Sequence, residues 1–191
     1  MQKDIKESDV VIFWGKSPDL SKPELLEELK NKKIIVIDPI KTEVAKIADL
    51  HISIKAKGDF FLAMLLCRFL HIYDHADEDY LQKHTDGFED FYELTQSIRI
   101  VSTLKEIDVD LGEIERVIEL VESKKVAIVC GAGVQKCIDE ADILRAIDAF
   151  GVMLGLFEDD SFDTPSGKFE FLDEHDCTLP SKLDFLRNKN E

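Results

Sequence analysis

Three short segments of glycine and polar residues follow apolar runs of the sequence, and together they could bind a phosphate-containing ligand. Gly15 to Pro18 follow the run DVVIFW, Asp38 and Pro39 follow IIVI, and Gly131 to Gly133 follow VAIVC. Glycine lets backbone N–H groups approach a phosphate, and a carboxylate after a strand can accept hydrogen bonds from a ribose or a guanine edge. GAG is not a complete GxGxxG motif and GKS lacks the upstream glycine of a phosphate loop, so ordinary turns are an equal alternative.

Other chemically capable side chains indicate neither a metal site nor a catalytic arrangement. The four cysteines are scattered without a CxxC pair, and we expect reduced thiols. Cys130 ends a predicted strand, where a buried, inert thiol is expected over a reactive one. His71 and His75 lie four residues apart without a third ligand nearby, which favours a solvated pair. No Ser-His-Asp or Cys-His pattern stands out, so we predict no catalytic and no metal-binding residues.

The candidate ligand segments belong to an alternation of strands and helices. Apolar runs predict buried strands at Val10 to Trp14, Ile34 to Ile37, His51 to Ile54 and Val126 to Val129. The segments between the first three runs have helical patterns, which is typical of βαβ units with a parallel sheet. The predicted fold class is therefore α/β, a Rossmann-like parallel sheet flanked by helices. Since the carboxyl ends of parallel strands share one edge, the ligand segments should meet there.

The sequence also predicts the positions of the helices and the bounds of the domain. DFFLAMLLCRFLHIY predicts an apolar helix with Asp59 as its N-cap, and KTEVAKIADL predicts a short helix that starts near Thr42 or Lys41. From about 77 to 125 the sequence predicts amphipathic helices without strands, either as a helical insert or as a cover for one sheet face. We expect one domain over 1–157 and an acidic tail over 158–191, in which KFEFL predicts an edge strand.

Composition and charge exclude several classes of partner. Hydrophobic residues make up 45% of the 191 residues and charged residues 34%, which indicates a folded globular protein. The net charge of −16 disfavours nucleic acid and anionic membrane surfaces as partners. No apolar run is long enough to span a bilayer, and the first residues, MQKDIKES, lack the apolar core of a signal peptide. A cytoplasmic location is therefore expected.

The order of these motifs resembles the molybdopterin oxidoreductase superfamily, which includes formate dehydrogenases, periplasmic nitrate reductases and the G subunit of complex I, the NADH:quinone oxidoreductase. The resemblance extends over about residues 8–157. It is carried by VVIFWGKSP, IIVIDPIKTEVAKIADLHISIKAKGDFFLAMLL, HTDGFEDF, VAIVCGAGVQ and LRAIDAF. It implies one of the nucleotide-binding domains that hold a bis-molybdopterin guanine dinucleotide cofactor.

The resemblance also implies which residues bind that cofactor. The WG-x-N-P turn of the family corresponds to residues 14–18, its DPR-x-TE-x-A segment to 38–45, its PGTD segment to 56–59 and its WGMG-x-Q segment to 130–135. In the family these loops contact the guanosine and pyrophosphate portions of one pterin dinucleotide. The implied cofactor-binding residues are Gly15, Ser17, Asp38, Asp59, Gly131 and Gly133.

Several departures from the family pattern predict a weakened or vestigial site, with complete loss of the cofactor as the alternative. Ser17 replaces the usual Asn, Ile40 the usual Arg, and Cys130 the usual aromatic residue, while Leu154 to Leu156 replace TGN. Losing the arginine removes a forked donor that suits phosphates or a guanine edge. The chain also lacks the family's iron–sulfur cysteine cluster and molybdenum-ligand loop, and Cys67 lies inside a predicted helix. We expect the isolated chain to be inactive.

These expectations lead to a preferred parent protein and two alternatives. Because its cofactor site is often degenerate, the G subunit of complex I is preferred. A formate dehydrogenase alpha-subunit domain that binds the cofactor is one alternative, and a non-catalytic structural or assembly domain is the other. The expected partners are other subunits or domains of a redox complex, without direct membrane insertion. FDTPSGKFEF resembles a segment of the family's C-terminal cap region, which implies an excised or internally deleted domain or a reduced paralogue.

Overall fold

A computed structural model describes residues 5–134, 140–157, 162, 164 and 166–171, without the side chains of residues 140 and 141. Gln135, Cys137, Cys177 and most of the predicted acidic tail lie outside the described residues. The strands are β1 (Val10–Trp14), β2 (Lys33–Ile37), β3 (Leu50–Ile52), β4 (Thr85–Asp86), β5 (Val126–Cys130) and β6 (Phe169–Glu170).

A parallel sheet with the strand order β3-β2-β1-β5 lies at the centre of the fold. This arrangement confirms the predicted α/β fold class and the four predicted strands. The third strand ends at Ile52 instead of Ile54. Trp14 pairs with Ile37 on one side and with Cys130 on the other. The residues that follow these three, Gly15, Asp38 and Gly131, therefore leave the sheet at the same edge.

Helices cover both faces of this sheet. They are α1 (Pro23–Leu29), α2 (Glu43–Ile47), α3 (Asp59–Ile72), α4 (Glu78–His84), α5 (Phe88–Ser97), α6 (Ile100–Ile107), α7 (Leu111–Val121) and α8 (Glu140–Met153). Side chains of β1 alternate between two buried clusters, as the period of a strand requires. Val10, Ile12 and Trp14 belong to the cluster with α3, α7 and α8, while Val11 and Phe13 belong to the cluster with α1 and α2.

The segment between α3 and β5 differs from the prediction in one respect. It is mostly helical, as expected, but Thr85–Asp86 forms a short strand that pairs in parallel with Phe169–Glu170. The expected edge strand in KFEFL is thus confirmed, although it belongs to this second sheet. The prediction of a strandless segment was wrong because the partner of Thr85–Asp86 comes from a part of the chain more than 80 residues away.

Two helix starts test the capping predictions. Thr42 is the N-cap of α2, and its Oγ1 accepts a hydrogen bond from the N–H of Ala45 at 3.4 Å. The prediction that Asp59 caps α3 was wrong, because Gly58 occupies the N-cap and Asp59 is the first helical residue. Across the described ranges, no helix combines the length and apolarity needed to cross a lipid bilayer.

Candidate ligand site at the carboxyl edge of the sheet

The loops after β1 and β5 pack directly against each other. A Cβ atom added at Gly131 would lie 2.1 Å from the carbonyl oxygen of Gly15 and 2.7 Å from the Cα of Lys16. Gly15 has a φ of +57°, a conformation that glycine adopts without strain. Glycine is therefore required at 131 and favoured at 15 so that the two backbones can approach each other.

The N–H groups of the three candidate glycines donate to carbonyl groups of the protein itself. That of Gly15 donates to Ile37 at 2.8 Å, that of Gly131 to Trp14 at 2.8 Å, and that of Gly133 to Gly15 at 3.3 Å. A backbone N–H supplies one donor, so these three groups are already used. The expectation that these glycines offer free backbone donors to a phosphate does not hold in this conformation.

Asp38 follows β2 at this edge and presents hydrogen-bond acceptors. Its Oδ1 accepts from the N–H of Ile40 at 2.8 Å, which folds the Asp38-Pro39 turn back on itself. The Nε2 of His51 lies 2.9 Å from the backbone carbonyl of Asp38. His51 is thus a packed residue at this turn. The Asp38 carboxylate is half-buried, whereas Ser17 and Ile40 are exposed.

Asp59 lies at the start of α3 and is held by Trp14. The indole Nε1 of Trp14 donates a hydrogen bond of 2.8 Å to Oδ1 of Asp59. Burial raises the pKa of the Asp59 carboxyl above its ordinary value, and the negative charge of Asp38 raises it further. The indole hydrogen bond acts in the opposite direction but does not outweigh burial. Asp38 follows β2 and Asp59 begins α3 after the loop that leaves β3, so both belong to the carboxyl edge of the sheet.

Cys130 and Asp148 add a thiol and a third carboxyl group to the same region. Burial, followed by the negative charge of Asp148, raises the pKa of the Cys130 thiol to about 11. Burial also raises the pKa of Asp148. At neutral pH the Cys130 side chain is therefore a protonated thiol, which is the inert state expected for a buried cysteine. In the part of the chain that the structure describes, no group of three or more His, Cys, Asp and Glu side chains could hold a metal ion.

These contacts define what the edge can do chemically. The carboxylates of Asp38 and Asp59 accept hydrogen bonds, so they suit the N–H and O–H donors of a nucleobase or a ribose. The same loops carry the exposed Lys16, Lys41 and Lys57, so the charge of the edge is mixed, but the glycine N–H groups are used internally and are not available to a pyrophosphate. The N–H and O–H groups of a guanosine therefore find acceptors at this edge. The phosphate oxygens of a pterin dinucleotide do not find donors at the three glycines.

Two members of this region were missed in the sequence. The sequence predicts Trp14 as the end of a strand and as part of a turn motif, but not that its indole N–H donates to Asp59. Asp148 lies on α8 between Ile147 and Phe150, which are both buried. An acid next to the apolar positions of a helix was the available signal.

Comparison with known proteins shows the family to which this chain is similar. The family model described as "Molybdopterin oxidoreductase" matches residues 2–167. The probable oxidoreductase YyaE of Bacillus subtilis (strain 168) is 30% identical over 151 residues, which cover 76% of this chain and 23% of that protein. Formate dehydrogenase H of Escherichia coli (strain K12) is 26% identical over 158 residues, which cover 80% of this chain and 22% of that protein.

A nitrate reductase is also similar in sequence, and a solved structure is similar in fold. The nitrate reductase of Shewanella frigidimarina (strain NCIMB 400) is 27% identical over 161 residues, which cover 80% of this chain and 17% of that protein. Acetylene hydratase from Pelobacter acetylenicus shares the fold with a TM-score of 0.75 at 22% identity, over 81% of this chain and 22% of that chain. The chain spans less than a quarter of the length of these relatives. Since the family model covers most of the sequence, the chain belongs to the molybdopterin oxidoreductase family, which implies a molybdenum or tungsten pterin cofactor.

Proposed function

We propose that this chain is a nucleotide-binding domain of a molybdopterin-type oxidoreductase large subunit, and that its guanine dinucleotide site is weakened. The observation that carries the proposal is the contrast between donors and acceptors at the carboxyl edge of the sheet. The N–H groups of Gly15, Gly131 and Gly133 are bonded to protein carbonyls. Asp38 presents a half-buried carboxylate at the same edge. Such a site can still read a guanine or ribose but holds a pyrophosphate poorly.

The specific parent that we propose first is the G subunit of an NADH:quinone oxidoreductase, because Ile40 stands where the resemblance implies an arginine and the glycine N–H groups of this edge are used internally. A formate dehydrogenase alpha-subunit domain that binds the cofactor is the alternative, and the similarity to formate dehydrogenase H supports it. In either case the partners would be other subunits or domains of a redox complex, and the location would be the cytoplasm. A non-catalytic structural domain remains the rival from a different functional class.

Titration calorimetry with guanosine, GMP and GDP, at low and moderate salt, tests the proposal. A lost charge-assisted hydrogen bond costs roughly 1.5–3 kcal/mol, or about one to two decades of affinity. We therefore expect dissociation constants for GDP no tighter than roughly the high micromolar range. Guanosine should bind about as well as GDP, since the phosphates find few donors.

Two substitutions make the test specific to the edge. Asp38→Ala should abolish binding because it removes the half-buried carboxylate that would accept from a guanine or a ribose. Asp90→Asn removes the same charge from an exposed position on α5 and should leave binding unchanged. Submicromolar GDP binding, or a strong preference for GDP over guanosine, would contradict the weakened site. Binding that is absent for all three ligands would favour the structural domain.

A further inference from the structure

Two side chains from the end of β3 hold the turn that presents Asp38. The Nε2 of His51 lies 2.9 Å from the carbonyl oxygen of Asp38, and the Oγ of Ser53 donates to the carbonyl of Pro39 at 3.4 Å. A carbonyl oxygen only accepts hydrogen bonds, so the Nε2 of His51 carries a proton and donates it to this bond. The carbonyls of Asp38 and Pro39 are therefore both bonded to side chains of the neighbouring segment.

These two contacts begin where the backbone pairing of β2 with β3 stops. The ladder ends with Ile37 opposite Ile52, and the N–H of Asp38 then donates to the carbonyl of Ile52 at 3.1 Å. Ile52 belongs to the buried cluster with α3, α7 and α8, so His51, which precedes it, lies on the face that carries α1 and α2. Side chains thus continue the connection between the two segments past the end of the ladder.

The two carbonyl groups are the parts of this turn that would otherwise rotate. A peptide group is planar, and the proline ring fixes φ of Pro39 at about −65°. The soft torsions that remain inside the turn are ψ of Asp38 and ψ of Pro39, and each of them turns one carbonyl group. Since His51 and Ser53 hold these two carbonyls, they fix the path of the chain from Asp38 to Ile40.

This path decides where the Asp38 carboxylate lies. Its Oδ1 accepts from the N–H of Ile40 at 2.8 Å, and the carbonyl of Ile40 accepts from the N–H of Thr42 at 2.8 Å. The position of the Ile40 N–H therefore sets the orientation of the carboxylate. The other oxygen, Oδ2, makes no hydrogen bond to any residue that the structure describes, so it is left to accept from a ligand.

We propose that His51 and Ser53 are positioning residues of the nucleotide site, and that they act on a ligand through the Asp38 carboxylate. The inference rests on the proposed function, because its ligand is the guanosine of that proposal. Neither residue is among the cofactor-binding positions that the resemblance implies. A turn whose torsions are fixed before the ligand arrives loses less conformational entropy on binding, so both side chains raise affinity without contact to the ligand.

Two substitutions of His51 separate the hydrogen bond from the bulk of the ring. The amide nitrogen of His51→Gln has about the reach of the imidazole Nε2, so it can donate to the Asp38 carbonyl. The amide nitrogen of His51→Asn is one methylene group shorter and corresponds to the Nδ1 position, so it cannot. Both variants lose the aromatic ring, and only the asparagine variant also loses the donor.

Amide hydrogen exchange, measured by NMR on the full chain without ligand, tests the turn itself. In His51→Asn the N–H of Ile40 should exchange about two- to tenfold faster than in the wild type, the factor that loss of one neutral hydrogen bond gives. His51→Gln should restore slow exchange at Ile40. The N–H of Ile12 in β1 should keep its rate, because a looser turn does not open the sheet. Equal acceleration at Ile40 and Ile12 would mean a general loss of stability and would overturn the positioning role.

A titration with guanosine, followed in the same NMR spectra, tests the effect on the ligand. The dissociation constant should rise about two- to tenfold in His51→Asn and about twofold in Ser53→Ala, and it should return to the wild-type value in His51→Gln. Affinity that falls equally in the glutamine and asparagine variants would show that the ring matters and the donor does not, which would overturn the positioning role.

Two matched controls make the same chemical changes away from the turn. His75→Asn replaces a half-buried histidine beyond the end of α3, which lies near Glu122. Ser102→Ala removes an exposed hydroxyl that donates to the carbonyl of Arg99 at 3.1 Å on α6. Neither control should change the dissociation constant of guanosine. Equal weakening in the controls would overturn the proposal.

The outcomes distinguish this inference from the proposed function. Guanosine binding that is unchanged in both His51→Asn and Ser53→Ala would overturn the positioning role and leave the nucleotide site intact. Absence of guanosine binding by the wild-type chain would overturn the proposed function, and the positioning role with it. If His51→Asn does not fold, Ser53→Ala decides the question, because Ser53 is exposed and its loss leaves the packing of the sheet in place. Unchanged Ile40 exchange and unchanged guanosine affinity in that variant would then overturn the proposal.

Discussion

The indole of Trp14 and the carboxylate of Asp59 are joined by a 2.8 Å hydrogen bond across 45 positions of the sequence. The bond ties the last residue of β1 to the first residue of α3 at the edge where the candidate ligand loops meet. Trp14 is fully buried, so its N–H has no access to water and needs a protein acceptor. Asp59 therefore stabilises the edge itself, in addition to any role toward a ligand.

Replacing Asp59 tests this structural role. Asp59→Ala leaves the buried indole N–H without an acceptor and should lower the free energy of unfolding by about 1–3 kcal/mol. Asp59→Asn keeps a side-chain oxygen that can accept the same hydrogen bond, so it should cost clearly less than alanine. Urea denaturation of both variants at neutral pH measures the difference. Equal losses for the two variants would mean that the indole hydrogen bond contributes nothing.

The same pair predicts a dependence of stability on pH. Burial and the charge of Asp38 raise the pKa of Asp59, so the folded state binds its proton more tightly than the unfolded state does. Its contribution to stability is complete below the unfolded pKa, about 3.9, and is lost as pH rises through the higher folded pKa. Asp59→Asn cannot ionise, so its stability relative to the wild type should increase from about pH 4 to pH 7. A gap that stays constant between urea titrations at these pH values would contradict the raised pKa.

The contact between Gly131 and Gly15 predicts a difference between two glycine substitutions. Gly131→Ala places a methyl group against the backbone of Gly15, which cannot rotate away, and should lower stability by about 1–3 kcal/mol or more. Gly112→Ala, in α7, meets nothing within 4 Å and should be neutral or stabilising by up to about 1 kcal/mol. Thermal unfolding of both variants gives the comparison. A Gly131→Ala variant as stable as the wild type would show that the two loops move apart easily.

The main sheet could be predicted because its strands are continuous apolar runs buried on both faces. Such a run can be recognised in the sequence without knowing which strands pair with it. The convergence of Gly15, Asp38 and Gly131 followed from parallel pairing alone. The use of the glycine N–H groups could not be predicted, since it depends on how closely the two loops approach. The sequence showed that glycine was needed there, but not whether a ligand or another backbone occupied the space.

Long-range pairings account for the other differences. The N-cap of α3 was predicted at Asp59 because an acid before an apolar helix is the usual local signal. In the fold, the carboxylate faces Trp14 instead, and Gly58 takes the cap. The strand at Thr85–Asp86 has no recognisable local pattern, because two residues carry too little periodicity to detect.

The environment of Cys130 predicts slow reaction with alkylating agents. Burial and the charge of Asp148 raise its pKa to about 11, so little thiolate is present at pH 8. Asp148→Asn removes the negative charge and should increase the alkylation rate of Cys130 by iodoacetamide several-fold. Mass spectrometry of the peptide that contains Cys130 follows this thiol separately from the other cysteines. The exposed charge change Asp90→Asn is the control, and an equal rate increase in that variant would rule out a local effect of Asp148.

Arg68 of α3 lies against the carboxyl end of α5, and we expect this contact to stabilise the fold. Its guanidinium NH1 donates to the carbonyls of Thr95, Gln96 and Ile98 at 3.4, 3.3 and 2.9 Å, where α5 ends. The last carbonyls of a helix have no partners within the helix, and they carry partial negative charge that favours a cation. Arg68→Met keeps much of the aliphatic stem but leaves these carbonyls uncapped.

We expect Arg68→Met to lower the free energy of unfolding by about 1.5–3 kcal/mol, the range for hydrogen bonds to a charged group. Arg116→Met is the matched control, because Arg116 pairs with Glu119 on an exposed face of α7, and it should change stability by less than about 1 kcal/mol. Hydrogen exchange provides a second measurement, since loss of the cap should accelerate exchange in α5 more than in β1. If both arginine variants unfold at the same urea concentration, the carbonyls at the end of α5 find other donors and Arg68 is not their cap.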